Sequence, residues 1–73
     1  MAQIKLKSEV TGSVWKLLKK PGEQVEAGEE IMLIESMKME IPVASEVAAR
    51  IDQILVAEGD PVQEGQQVAT LAT

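Results

Sequence analysis

The residues best placed to do chemistry in this chain sit together in one hexapeptide, Glu35-Ser36-Met37-Lys38-Met39-Glu40. A lysine amine can serve as a general base, a Schiff-base nucleophile or an acyl acceptor. The first two roles need burial or a neighbouring cation that makes the ammonium easier to deprotonate. Lys38 stands between glutamates, which is the opposite environment. Acylation by another enzyme needs something different: an amine that is reachable, protruding and carried on a rigid scaffold. The plainer alternative is a solvated lysine on a surface turn, with Met39 filling a gap beneath it and Glu35 and Glu40 on a solvated face.

Composition removes most competing chemistries. The 73 residues contain no Cys and no His, so there is no thiol nucleophile, disulfide frame or imidazole base, and no usual transition-metal ligand set. No metal site is expected, and no catalytic residue. No G-x-x-x-x-G-K-[ST] or G-x-G-x-x-G segment occurs, so the glycines are not read as a phosphate cradle. Net charge is −5, with −1 in residues 1–36 and −4 in 37–73. An acidic chain with one aromatic, Trp15, and no basic stripe is a poor nucleic-acid binder. Strictly apolar runs such as Ile31–Ile34 and Ile54–Ala57 are four residues long, too short to span a membrane, and no signal-peptide apolar region opens the chain. The expected location is the cytoplasm.

The elements that must position Lys38 are organised by an internal repeat. Displaced by 37 residues, the chain matches itself: Gly22, Glu23, Val25, Gly28, Ile31 and Ile34 fall on Gly59, Asp60, Val62, Gly65, Val68 and Leu71. Val14, Leu17 and Leu18 likewise fall on Ile51, Ile54 and Leu55, whereas Gly12 falls on Ala49. Half-repeats of about 12–36 and 49–73 imply one domain with pseudo-twofold symmetry. Val47, Ile51, Ile54 and Leu55 keep helical spacing behind a possible Ser45 N-cap, so a helix over 45–57 is one reading. Three features favour strands. Gln3–Lys7 alternates, Val and Ile together supply 14 residues, and turn signals recur at Thr11-Gly12, Pro21-Gly22, Ala27-Gly28, Gly59-Asp60-Pro61 and Glu64-Gly65. Strands are predicted near 3–7, 13–19, 30–36, 39–44, 50–56 and 67–72, with short extended pieces at Val25 and Val62.

The junction of the halves breaks local rules. Residues 31–44 read as a hairpin whose turn is Met37-Lys38, where two-residue turns normally hold Asn-Gly, Asp-Gly or Gly because φ is positive. Ordinary side chains there cost ~1 kcal/mol or more. The same register sets Ser36 opposite Met39 and Glu35 opposite Glu40, a pairing of like charges. Broken local rules concentrate at functional sites.

Glu35-Ser36-Met37-Lys38-Met39-Glu40 resembles the attachment motif of the biotinyl/lipoyl attachment family. The segments Gly22–Glu30 and Gly59–Gln67 resemble its two half-repeats, and the likeness runs from about Ile4 to Leu71. The closest type is the small stand-alone biotin/lipoyl attachment protein. The resemblance implies an all-β fold, a flattened barrel of two four-stranded antiparallel sheets with the attachment lysine at a hairpin tip. Lipoyl domains share that fold but usually place Asp before and Ala after the lysine, so Met37 and Met39 favour biotin over lipoate. Ala49 departs from the family pattern, which usually has glycine there, as does the absence of a proline in Glu9–Gly12. With no Pro/Ala-rich linker before it, the domain is expected to be stand-alone or excised.

On this resemblance the chain is a biotin carboxyl carrier and not an enzyme. A biotin protein ligase would acylate Lys38. A biotin carboxylase would then load a carboxyl group, and a carboxyltransferase would pass it on or a decarboxylase subunit release it. Met37 and Met39 would be adaptable apolar contacts flanking the lysine, Glu35 and Glu40 possible ligase-recognition residues, and Trp15 a partly buried packing residue. The alternatives are a lipoyl carrier domain and an unmodified interaction module working through its sheet edges or acidic surface.

Overall fold

Alternating and short continuous apolar runs, separated by glycine turns every few residues, fold here into strands. A computed structural model describes residues 2–73 and contains eight strands and no helix among them. They are β1 (Gln3–Lys7), β2 (Gly12–Leu17), β3 (Gln24–Val25), β4 (Glu30–Ser36), β5 (Met39–Ala44), β6 (Ala49–Ile54), β7 (Pro61–Val62) and β8 (Gln67–Ala72). Two four-stranded antiparallel sheets form, ordered β1-β8-β6-β3 and β5-β4-β2-β7. The densest apolar runs occupy the inner strands β4 and β8. Their residues Ile31, Met32, Ile34, Val68 and Leu71 are completely buried between the sheets, together with Val14, Val25, Ile51 and Val62.

Two expectations need adjustment. The strands expected over 13–19 and 50–56 end at Leu17 and Ile54. One amide past each end, Leu18 and Leu55, still donates to Ile31 O and Val68 O at 2.9 Å, and beyond them the amides of Lys20 and Ala57 donate to the Glu23 and Asp60 carboxylates at 2.6 and 2.9 Å; at the end of β2 the Leu17 amide donates to the Glu58 carboxylate at 3.0 Å. The helical reading of 45–57 does not hold. The Ser45 hydroxyl closes a local turn on Val47, donating to its carbonyl at 2.5 Å, and Ile51 and Ile54 lie on β6.

The 37-residue repeat is written into the backbone bonding. Gly22 N–H donates to Ile51 O at 2.8 Å and Gly59 N–H to Val14 O at 2.7 Å; Gly28 N–H donates to Ser45 O and Gly65 N–H to Ser8 O in the same relation. The Ser8–Val10 turn repeats as Ser45–Val47. Gly22 has φ +94° in the turn closed by Glu23 N–H to Lys20 O, the left-handed third position that glycine fills without strain. The edge strands β1 and β5 are counterparts and flank a groove of about 360 Å³ lined by related pairs such as Ile4 with Ile41 and Leu6 with Val43.

By the same relation the Ser36–Met39 pair corresponds to Thr73 and Ala2, which are joined by Thr73 N–H to Ala2 O at 2.9 Å. β1 runs from that end toward Thr11, which touches Ser36. The described chain ends and the β4–β5 turn therefore lie at opposite poles of a molecule 36 Å long and 17 Å across.

Ile34 stands in the middle of this core, at 0% exposure. Ile34→Ala is expected to lower stability by ~2–5 kcal/mol, most of the stability of so small a domain. A urea titration followed by β circular dichroism reads this as a large fall in midpoint.

Candidate modification site

The β4–β5 connection is only two residues long, and its geometry follows from that length. Met37 and Lys38 have φ of +53° and +65°, both left-handed. This is the twist that joins two antiparallel strands without splaying them, and it places side chains where glycine or asparagine is normally found. Each such residue costs ~1–2 kcal/mol. Ser36 faces Met39 and Glu35 faces Glu40 across the hairpin, as the register predicts.

Three contacts hold the turn in place. The Ser36 hydroxyl donates to the Thr11 carbonyl at 2.8 Å, and the Thr11 hydroxyl accepts from Glu64 N–H at 3.1 Å. Gly12 lies flat against β4, where a β-carbon would overlap the Glu35 carbonyl oxygen. The segments before β2 and before β8 thus brace the root of the hairpin. The glycine at 12 is needed for this close approach and not for a turn. That explains how its counterpart Ala49 can be buried in β6 with a β-carbon, so the alanine leaves the second half's geometry intact.

The side chains at the tip are free. Met37 is 91% and Met39 61% exposed, so Met39 does not fill the core beneath the turn. Lys38, Glu35 and Glu40 are exposed. Among the described residues the single ion pair is Lys19 with Glu29, at 2.6 Å and outside the hairpin. There the hydrogen bond between the partners raises the Lys19 pKa and lowers that of Glu29. Trp15 is 48% exposed, with the Lys16 ammonium 5.9 Å from its ring centre. It contributes less to the core than its size suggests, because it sits in the β2 bulge between Val14 and Lys16.

All five residues singled out from the sequence share this one hairpin. Gly12, Thr11 and Ser36 were missed as its supports. Thr11 and Ser36 are 25 positions apart, and nothing in their local pattern announces the contact. The break in the repeat at Gly12/Ala49 was the available signal for Gly12.

Residues 4–71, nearly the whole chain, match the Biotin_lipoyl family model, described as "Biotin-requiring enzyme". The chain belongs to the biotin/lipoyl attachment family. It is 38% identical over 64 residues to the biotin/lipoyl attachment protein of Bacillus subtilis, covering 88% of each chain. It is 36% identical to the biotinylated protein TB7.3 homolog of Mycobacterium leprae, over 92% of this chain and 94% of that one. Among solved structures, the urea carboxylase of Kluyveromyces lactis superposes with a TM-score of 0.92 and 37% identity; 97% of this chain corresponds to 6% of that enzyme. The lipoyl domain of the 2-oxoglutarate dehydrogenase complex of Azotobacter vinelandii superposes with a TM-score of 0.76 and 32% identity over its full length here and 98% there. Family members of this kind are carrier modules and not catalysts, and the group covalently attached to them is biotin or lipoate.

Gly12→Ala is expected to cost ~1–3 kcal/mol through overpacking against the Glu35 carbonyl. In an amide correlation spectrum the largest shifts should fall on Glu35 to Glu40, and Ala49→Gly should leave those signals in place.

Proposed function

We propose that Lys38 is the acyl acceptor of this domain and that the group it carries is biotin, making the chain a carboxyl carrier between a biotin carboxylase and a carboxyltransferase or decarboxylase subunit. The observation that carries this reading is the turn itself. A left-handed, two-residue hairpin holds the lysine at one pole of a rigid barrel, clear of any ion-pair partner among the described residues. An exposed primary amine with nothing competing for it fits an amide-linked group.

Formation of that amide joins Nζ, deprotonated in the ligase, to the acyl carbon of an adenylate-activated carboxylate and expels the nucleotide. The domain loses one positive charge from a net of −5. Bound biotin supplies a ureido nitrogen that accepts and gives up a carboxyl group. The protein's own part is to hold the lysine backbone still while the long arm moves. Tethering then supplies a high local concentration at each partner's site. The methionines on either side of Lys38 and the biotinylated relative favour biotin. Lipoate is the second reading, because a lipoyl domain shares the fold.

Intact-mass measurement of protein from a biotin-replete host is expected to show one biotinyl addition. Lys38→Arg keeps the charge and the fold and is expected to abolish avidin binding entirely. Avidin binding that survives this substitution contradicts the assignment. Replacing Met37 with Asp and Met39 with Ala together is expected to shift modification from biotin toward lipoate, read as relative rates with a biotin ligase and a lipoyl ligase. A parent domain that accepts both groups equally well would place selectivity outside these flanks.

A further inference from the structure

Because the halves share one backbone design, comparing them position by position separates what the barrel requires from what it does not. The buried positions agree in kind: Val14 with Ile51, Ile31 with Val68, Ile34 with Leu71 and Val25 with Val62. The outward positions do not. On the sheet that carries the Lys38 turn, the register sets Glu40, Glu35 and Ser13 in one outward row. Pro42, Leu33 and Lys16 form the next, with Trp15 in the adjoining bulge. The equivalent rows of the other sheet read Gln3, Ala72 and Arg50, then Lys5, Thr70 and Gln53, with Asp52 in the bulge. Matching backbone positions thus carry two glutamates and then Pro42 and Leu33 beside Lys16 on one side, and Arg50 with Gln3 and then Lys5 with Gln53 and the buried Thr70 on the other.

The core gains little from the difference. Trp15 is 48% exposed, and Glu35 and Glu40 face one another with no cation paired to them among the described residues. Two carboxylates in register repel until a cation is set against them. An exposed tryptophan is the anchor type found at interface centres, and a charged row beside it is what a rim carries.

We propose that Trp15, Leu33 and Pro42, with Glu35 and Glu40 between them and Lys38, form a one-sided docking surface for the biotin protein ligase that acylates Lys38. Its complement on the ligase is an apolar cleft for the indole, bordered by arginine or lysine side chains. The inference rests on the reading of Lys38 as a biotin acceptor. The ligase is the occupant because it must bring the lysine nitrogen itself to the reacting carbon. That draws its surface onto the sheet behind the turn, where the row of Pro42 and Leu33 begins roughly 10 Å back at three residues of strand. Enzymes that meet the far end of the finished arm can stand off from the sheet.

The two halves supply the test. Trp15→Asp and Pro42→Lys each put on this sheet the residue that the other sheet carries at the same backbone position, and denaturant midpoints check that both variants fold. With purified unmodified protein and the host ligase, Trp15→Asp is expected to raise KM about tenfold with kcat kept, and Pro42→Lys to raise it in the same sense. Asp52→Trp, which adds the ring to the opposite sheet, is expected to leave KM unchanged. An unchanged KM in folded Trp15→Asp and Pro42→Lys overturns the surface, as does an equal change in Asp52→Trp. Normal ligation with slowed carboxylation by the host carboxylase overturns the ligase as its occupant. A wild-type chain that takes no biotin from the ligase overturns the reading of Lys38 and the surface with it, an outcome distinct from the others because it precedes any variant.

Discussion

The structure turns on a two-residue reversal made from the wrong residues. Met37 and Lys38 take left-handed backbone angles that cost ordinary side chains ~1–2 kcal/mol each, and the pair of glutamates just behind them adds repulsion. Such strain persists only where the surroundings over-determine it. Here the surroundings are the contact of Gly12 with the Glu35 carbonyl, the Ser36–Thr11 and Thr11–Glu64 hydrogen bonds, and the buried Ile34 two residues before Ser36. A longer, glycine-rich loop would relax the strain but let the lysine wander. A tight turn fixes the lysine root and leaves motion to its side chain.

The pseudo-twofold relation extends to the two poles: Thr73 N–H donates to Ala2 O where the other half sets Ser36 opposite Met39. The barrel is held by inward rows that repeat between the halves, and the outward rows are free to differ. The inward face of each strand thus carries the packing, and the proposed recognition falls to the outward face, as the two-residue period of a strand allows.

Much of this was legible in the sequence because it depends on local chemistry. The alternation of Gln3–Lys7, the glycine turns and the 37-residue offset led to the strands, and the hairpin register led to Glu35 facing Glu40. What was not legible depended on contacts across the fold. β2 and β6 give way to turns whose amides, at Lys20 and Ala57, donate to the Glu23 and Asp60 side chains, and the Leu17 amide turns to the distant Glu58 carboxylate. Met39 was open to a core role because methionine fills gaps readily, yet its place next to the turn lies beyond the end of the core. Gly12 looked like a turn glycine, and its true reason, the closeness of β4, becomes visible only when the strands are packed.

On the proposed reading of Lys38, geometry selects the site, and not the mere presence of a lysine. The chain has six lysines, at 5, 7, 16, 19, 20 and 38. Peptide mapping after reaction with a biotin protein ligase, on the native chain and on the Ile34→Ala chain at a urea concentration that unfolds only the variant, tests this directly. Biotin is expected on Lys38 alone in the folded chain, with most of that modification lost in the unfolded Ile34→Ala variant. Equal labelling of folded and unfolded chains, or label spread over the other lysines, would contradict it.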